Sequence, residues 1–121
     1  MIGIGYLGYR YNTDRFFMRR SRLGRGVGHS MEPTLPYDSI VNIYKAKMQD
    51  GDVISFSCSA ERCHKWGTTV YDGEFQKRLI KIREDGAIWV DGDNKDNSFD
   101  SDYFGWLMPN EFSDVWVVKL Q

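Results

Sequence analysis

Long apolar runs are missing from this chain. Nowhere do about 18 consecutive apolar residues occur, which is the minimum for a membrane-spanning helix. The apolar, glycine-rich start, Met1–Tyr9, is too short to span a bilayer. An arginine follows this stretch and none precedes it, which reverses the order found in a secretory signal peptide. We therefore expect no integral membrane span, and a protein that is soluble or peripheral to a membrane.

Cysteine and histidine are scarce, with two residues of each type among 121. Cys58 and Cys63 enclose four residues, and His64 follows directly. This spacing fits a disulfide, which requires an oxidising compartment, and it fits two free thiols in a loop equally well. A metal site needs more ligands than these three residues unless His29 joins them. We expect neither a metal nor another cofactor.

A strong overall charge is also absent, because 16 basic and 17 acidic residues leave a net charge of −1. No global positive field attracts nucleic acid, so the sequence does not favour it as a partner. The charge is unevenly spread, however. Residues 1–29 contain six arginines and one aspartate, a net charge of +5, and the remainder carries −6. Such a basic arm can bind an acidic or anionic partner, including lipid or RNA, or fold against its own acidic domain.

Short β-branched and aromatic segments, separated by Gly and Asp turns, fill the chain after Leu35. They predict strands at 39–44, 53–58, 68–71, 74–83, 87–91 and 115–120. This pattern is typical of a mainly β fold, either a small antiparallel folded sheet or a partly open barrel. Residues 1–27 are expected to form a basic N-terminal arm with one short helix at 14–22. A single domain is expected at 28–121.

Ser30 lies in a segment whose pattern favours nucleophilic chemistry. Glycines punctuate the approach to it, and Pro33 stiffens the turn that follows. On a strand-like run far along the chain, Lys77 shares a face with Phe75 and Leu79 by period two. Burial among apolar neighbours lowers the pKa of a lysine, and a neutral amine can take the proton of a serine hydroxyl. Ser30 and Lys77 therefore form a candidate serine–lysine dyad.

Four segments in this order resemble the sequence boxes of type I signal peptidases. The first is Ser30-Met31-Glu32-Pro33-Thr34-Leu35, which matches the nucleophile box. The others are Gly51–Phe56, Lys77–Ile80 and Gly92–Ser101, the last of which is followed by Tyr103-Phe104-Gly105. The resemblance covers roughly residues 28–120 and implies a catalytic core of the signal peptidase type.

The resemblance implies a role for each matching residue. Ser30 would be the nucleophile and Lys77 the general base, with Ser98 hydrogen-bonded to the lysine and orienting it. Asp100 would be a structural carboxylate, and Arg78 is its expected partner.

The resemblance also places the oxyanion hole and the substrate edge around Ser30. The Ser30 backbone N–H would bind the oxyanion, and Gly28, His29 and Met31 would border the substrate. Family members often carry a hydroxyl side chain where this chain has Gly28, and a basic residue where it has Asp102. They also carry membrane spans and an inserted domain, which are not found here. The chain is closer to compact relatives, namely the maturation proteases of nickel superoxide dismutase, the mitochondrial inner-membrane peptidases and the self-cleaving domains of SOS repressors.

The sequence leaves three functions open. The first is a serine endopeptidase that cleaves an extended segment of a protein or peptide substrate, with Lys81 as the competing lysine and His29 as a weaker candidate base. The second is a catalytically weak or inactive copy of the fold that serves as a binding or structural module in a larger assembly. The third is a nucleic-acid-binding arm on a small β domain.

Overall fold

A six-stranded antiparallel sheet forms the framework of the protein. The computed structural model describes residues 21–64 and 74–121. The strands are β1 (Ser21–Arg25), β2 (Ile40–Tyr44), β3 (Val53–Cys58), β4 (Glu74–Ile82), β5 (Ile88–Asp91) and β6 (Phe112–Leu120), in the spatial order β1-β2-β6-β3-β4-β5. The sheet is open, with β1 and β5 at its ends. The mainly β fold class that the sequence predicts is therefore confirmed.

Alternation of buried and exposed side chains explains why these segments form strands. In β2, Val41 and Ile43 are buried, whereas Ile40 is exposed, which is the period-two pattern of a strand with one covered face. Tight turns at Gly51 and Gly86 separate strands, and both glycines have positive φ, 92° and 90°. That backbone region is open to glycine at little cost.

Two apolar clusters lie on opposite faces of the sheet, and successive residues of β4 face one cluster or the other. The register pairs Ile54 with Lys77 and Val53 with Arg78, so adjacent residues of β4 face opposite sides. The first cluster comprises Ile54, Phe56, Cys58, Cys63, Leu79, Ile88, Val90 and Leu107. The second comprises Met31, Leu35, Val41, Ile43, Val53 and Val118. Lys77 therefore lies on the side of the first cluster.

Two elements differ from the sequence prediction. β1 lies within the stretch that the sequence assigned to the N-terminal arm, yet it pairs with β2 along its whole length. Of the helix predicted at 14–22, only Ser21 and Arg22 fall among the described residues, and both belong to β1. A short helix, α1 (Ser101–Phe104), forms instead in the polar stretch after β5, where the Asp100 side chain accepts a hydrogen bond from the Asp102 N–H and caps it.

The loop after β3 is closed by a disulfide between Cys58 and Cys63, which decides among the three readings that the sequence left open. A 3₁₀ turn at Glu61–Cys63 lies inside this loop. The strand predicted at 68–71 lies outside the described residues. Within the described ranges, no helix is long and apolar enough to cross a membrane.

Candidate functional site

Ser30 lies in a compact turn that two buried side chains anchor. The turn leaves β1 through Gly28, whose φ is 67°. It is closed by hydrogen bonds from the Glu32 N–H to the His29 carbonyl (3.2 Å) and from the Leu35 N–H to the Met31 carbonyl (2.8 Å). Met31 and Leu35 are buried in the second apolar cluster, so burial of apolar surface fixes the turn against the sheet.

The segment after β5 holds this turn in place. The Asn94 N–H donates to the Ser30 carbonyl at 2.8 Å, and the Asn94 side chain donates to the His29 carbonyl at 3.0 Å. Gly92 permits the close approach, because a Cβ there would lie 2.6 Å from the Ser30 carbonyl oxygen and would overlap Ser98. Ser30 and Ser98 therefore both pack against Gly92 at the position that a side chain would take.

Lys77 is a buried lysine with one specific hydrogen-bond acceptor. Its residue surface is 7% exposed, and Nζ donates to Ser98 Oγ at 3.0 Å. Burial lowers the pKa of Lys77 to about 8, and the negative charges of Asp100 and Asp91 oppose the shift. A substantial neutral fraction of this amine therefore exists at mildly alkaline pH, which few lysines offer.

Ser98 and Asp100 extend the hydrogen-bonded chain that starts at the lysine. Ser98 Oγ donates to Asp100 Oδ2 at 2.8 Å, and the Gly92 N–H donates to the same oxygen at 2.9 Å. Burial acts to raise the pKa of Asp100. The hydrogen bonds from Gly92, Ser98 and Asp102, with the charge of Lys77, outweigh it and hold that pKa below its usual value. Because the Ser98 hydroxyl donates to the ionised Asp100, its oxygen is left as an acceptor for Lys77. The other hydrogen-bonding positions of the lysine nitrogen remain available to another group.

Ser30 and Lys77 border the same cleft, of about 780 Å³, but their side chains do not bond to each other. Ser30 Oγ instead donates to the main-chain carbonyl oxygen of Gln76, at a long 3.4 Å. Gln76 is the residue directly before Lys77. Among the described residues, neither a Ser30–Lys77 hydrogen bond nor an acceptor for the Ser30 N–H is present. The other lining residues are Val27–His29, Cys63, His64, Glu74–Gln76, Lys95–Phe99 and Tyr103.

The expected partnership of Arg78 with Asp100 is wrong. Arg78 pairs with Asp93 through two nitrogens, at 3.2 and 2.7 Å, and donates to the Gly51 carbonyl at 2.8 Å. Alternation along β4 explains the difference, because it turns Arg78 to the side opposite Lys77. Asp93 also accepts a hydrogen bond from the Thr34 hydroxyl at 2.6 Å. Arg78 is therefore connected through Asp93 to the turn that carries Ser30.

Three carboxylates near the lysine could in principle hold a cation. Asp91, Asp100 and Asp102 have oxygens within 4.8 Å of one another. Both Asp100 oxygens already accept hydrogen bonds, and Lys95 Nζ lies 3.3 Å from Asp91. The buried Asp91 Oδ1 accepts no hydrogen bond from a described residue. Asp100 and Asp91 supply the negative charge that acts on Lys77.

The two histidines and the disulfide loop form part of the cleft wall. His29 Nδ1 lies 3.0 Å from Glu32 Oε1, and its ring packs against Tyr37 at 4.9 Å. His64 packs on Phe75 at 5.6 Å between ring centres. His64 and Cys63 could not be predicted to reach the cleft, because only the disulfide and the tertiary fold bring them there.

Gln76 is a second residue that the sequence did not single out. Its residue surface is 2% exposed, and its carboxamide bonds to backbone groups of the segment that precedes Ser30.

Comparison of the chain with family models, with curated proteins and with solved structures finds no match.

Proposed function

We propose that the protein is a serine endopeptidase in which Ser30 is the nucleophile and Lys77 the general base. The observation that carries the proposal is a buried lysine of lowered pKa, held by Ser98 and Asp100, on the same cleft as a serine in an anchored turn. The sequence boxes that resemble those of type I signal peptidases support it independently. They include all four of these residues.

The hydrogen bond from Lys77 to Ser98 leaves the lysine able to act as the base in peptide-bond cleavage. A neutral Lys77 that donates one N–H to Ser98 keeps a lone pair free to take the proton of Ser30 Oγ. Ser30 Oγ attacks the scissile carbonyl carbon, the C–N bond breaks, and the protonated Lys77 returns the proton to the leaving amine. Water then hydrolyses the acyl–serine ester, with Lys77 again as base. The weak bond of the Ser30 hydroxyl to the Gln76 carbonyl must break for this step.

The expected substrate is an extended stretch of a protein or peptide. The Ser30 N–H, which bonds to no described residue, is the expected oxyanion donor. Gly28 supplies no side-chain donor, so the oxyanion hole is expected to rest on backbone groups. An extended peptide can enter as a strand beside the segment that leads from β1 to Ser30.

A cleavage assay tests the proposal. A synthetic peptide with an Ala-x-Ala motif is incubated with the protein and with Ser30→Ala, Lys77→Met and Lys81→Met variants. Ser30→Ala and Lys77→Met should lower kcat by about 10⁴-fold or more. Lys81 pairs with Asp50 at 3.6 Å and has a side chain 63% exposed, so Lys81→Met should cleave normally. Undiminished cleavage by Lys77→Met would refute the dyad.

A binding or structural module is the second candidate function. It is favoured by one observation, the bond of the Ser30 hydroxyl to the Gln76 carbonyl where a working dyad would bond to Lys77. In that case no peptide is turned over even at pH 9, and Ser30→Ala leaves partner binding intact. An acidic or anionic partner for the basic arm stays a prediction, because residues 1–20 lie outside the described residues.

A further inference from the structure

The Gln76 side chain makes the hydrogen bonds of a neighbouring strand. Its Nε2 donates to the Arg25 carbonyl at 3.1 Å, and its Oε1 accepts from the Val27 N–H at 2.8 Å. The carboxamide thus offers one donor and one acceptor to two backbone groups of an extended segment. One residue of an adjacent parallel strand offers the same pair, its own N–H and its own C=O, to the residues on either side of the one opposite it.

Those two backbone groups belong to the open edge of the segment. On the other edge, the Gly26 N–H donates to the Ser39 carbonyl at 2.8 Å and the Gly26 carbonyl accepts from the Asp38 N–H at 3.0 Å. Successive residues of an extended chain direct their polar groups to alternate edges. The Arg25 carbonyl and the Val27 N–H therefore point away from the β2 side, toward the position of the next strand.

The position of that next strand coincides with the cleft. Val27, Gly28 and Gln76 all line it, and the Gln76 main-chain carbonyl is the acceptor of the Ser30 hydroxyl. A peptide that presents a carbonyl to Ser30 must pass between the segment 25–28 and β4. The Gln76 carboxamide already bridges that gap.

We propose that the Gln76 carboxamide is a displaceable placeholder on the peptide-binding edge. It satisfies the Arg25 carbonyl and the Val27 N–H in the unliganded protein, and the backbone of an entering peptide replaces both hydrogen bonds. The inference rests on the proposed endopeptidase function and adds to it that peptide affinity is set by competition with a side chain of the protein. Gln76 is on this account a positioning residue and not a catalytic one.

Peptide binding to the Ser30→Ala protein tests the proposal without any catalytic step. The probe is a fluorescein-labelled extended peptide with an Ala-x-Ala motif, followed by anisotropy. Gln76→Met keeps the length of the side chain but makes no such hydrogen bonds, so Kd should fall about tenfold, equivalent to about 1.4 kcal/mol. Gln49→Met, at an exposed position outside the cleft, is the matched control and should leave Kd unchanged. In the active protein, Gln76→Met should lower KM with kcat nearly unchanged.

Different outcomes of this experiment would overturn the placeholder role of Gln76 and the proposed endopeptidase function. Unchanged or weaker peptide binding by a folded Gln76→Met protein would overturn the placeholder alone. Failure of the peptide to bind any variant would overturn the proposed function, and the inference with it.

A second measurement needs no Gln76 variant. In an amide-resolved NMR titration of the Ser30→Ala protein with the same peptide, the Gln76 side-chain NH₂ should lose its hydrogen bond. The Val27 N–H should remain protected from exchange, because the peptide replaces its acceptor. A Gln76 NH₂ signal that stays unchanged at saturating peptide would contradict the displacement.

Discussion

The pKa of Lys77 is set by two opposing effects. Its burial favours the neutral amine, and the carboxylates of Asp100 and Asp91 favour the charged one. The balance is a pKa of about 8, between that of a surface lysine and that of a fully desolvated one. Such a value suits a general base at neutral to mildly alkaline pH.

Removing the charge of Asp100 should move this balance further toward the neutral amine. The active form of Lys77 is the neutral one, so kcat/KM rises with pH through the pKa of Lys77. Asp100→Asn removes a negative charge that raises this pKa. The acidic limb of the pH profile of kcat/KM should therefore shift to lower pH, whereas Asp114→Asn, at an exposed position of β6, should leave it in place. A limb that stays unchanged or moves to higher pH in Asp100→Asn would contradict the role given to this charge.

Several site residues follow from sequence reasoning and others do not. Lys77 could be placed on an apolar face because Phe75 and Leu79 alternate with it, and the resemblance supplied Ser98 as its hydrogen-bond partner. Gln76 could not be found, because a glutamine on a strand resembles a solvated residue. Its buried contacts join it to backbone 49 and 51 residues away. Only the folded chain brings those groups together.

The connection from β5 to α1 is the element that assembles the site. Within ten residues it contributes Gly92, Asn94, Ser98 and Asp100, which contact the serine turn on one side and the lysine on the other. Arg78 of β4 ties this connection to the sheet through a two-point bond to Asp93. The relative placement of Ser30 and Lys77 therefore depends on the connection.

Arg78→Lys should loosen this placement. A lysine keeps the positive charge but loses the planar fork that binds both Asp93 oxygens. Because the pair is partly exposed, the loss of stability should be small, ~0.5–1 kcal/mol. The loss of kcat should be larger than that stability change implies, since Asp93 also bonds to Thr34 in the serine turn.

Arg83→Lys is the matched control for that experiment. Arg83 makes the same kind of two-nitrogen bond to Asp85, at 2.9 and 2.8 Å, in a turn outside the cleft. Melting temperature and kcat are measured for both variants. Equal kcat in Arg78→Lys and Arg83→Lys would show that the Arg78–Asp93 pair does not position the site.

The success of the sequence prediction also varied by element. Strands with dense β-branched residues, such as β2 and β3, were predicted nearly to their ends. β1 was missed because Ser21–Arg25 contains a glycine and two arginines and lacks an apolar alternation. Its strand form depends on pairing with β2. α1 was missed because four residues capped by Asp100 carry no helical periodicity.

On the scale of the whole molecule, the buried lysine couples folding to pH. The pKa of Lys77 is about 8 in the folded protein and returns toward its ordinary value on unfolding. Between these two values the unfolded state binds more protons, so the contribution of Lys77 to the free energy of unfolding rises with pH across that window. Below about pH 8 the contribution of Lys77 to the free energy of unfolding is least favourable, and burial of apolar surface in the two clusters offsets it.

The central claim is that Lys77 is a poised base. The measurement that tests it most directly is an NMR pH titration of the full chain with ¹³C-labelled lysine, with the Lys77 signal assigned by its absence in Lys77→Arg. The expected result is a midpoint of about 8 for Lys77. A Lys77 midpoint near the ~10.4 of an ordinary lysine would contradict the account, because the amine would then be charged when a base is required.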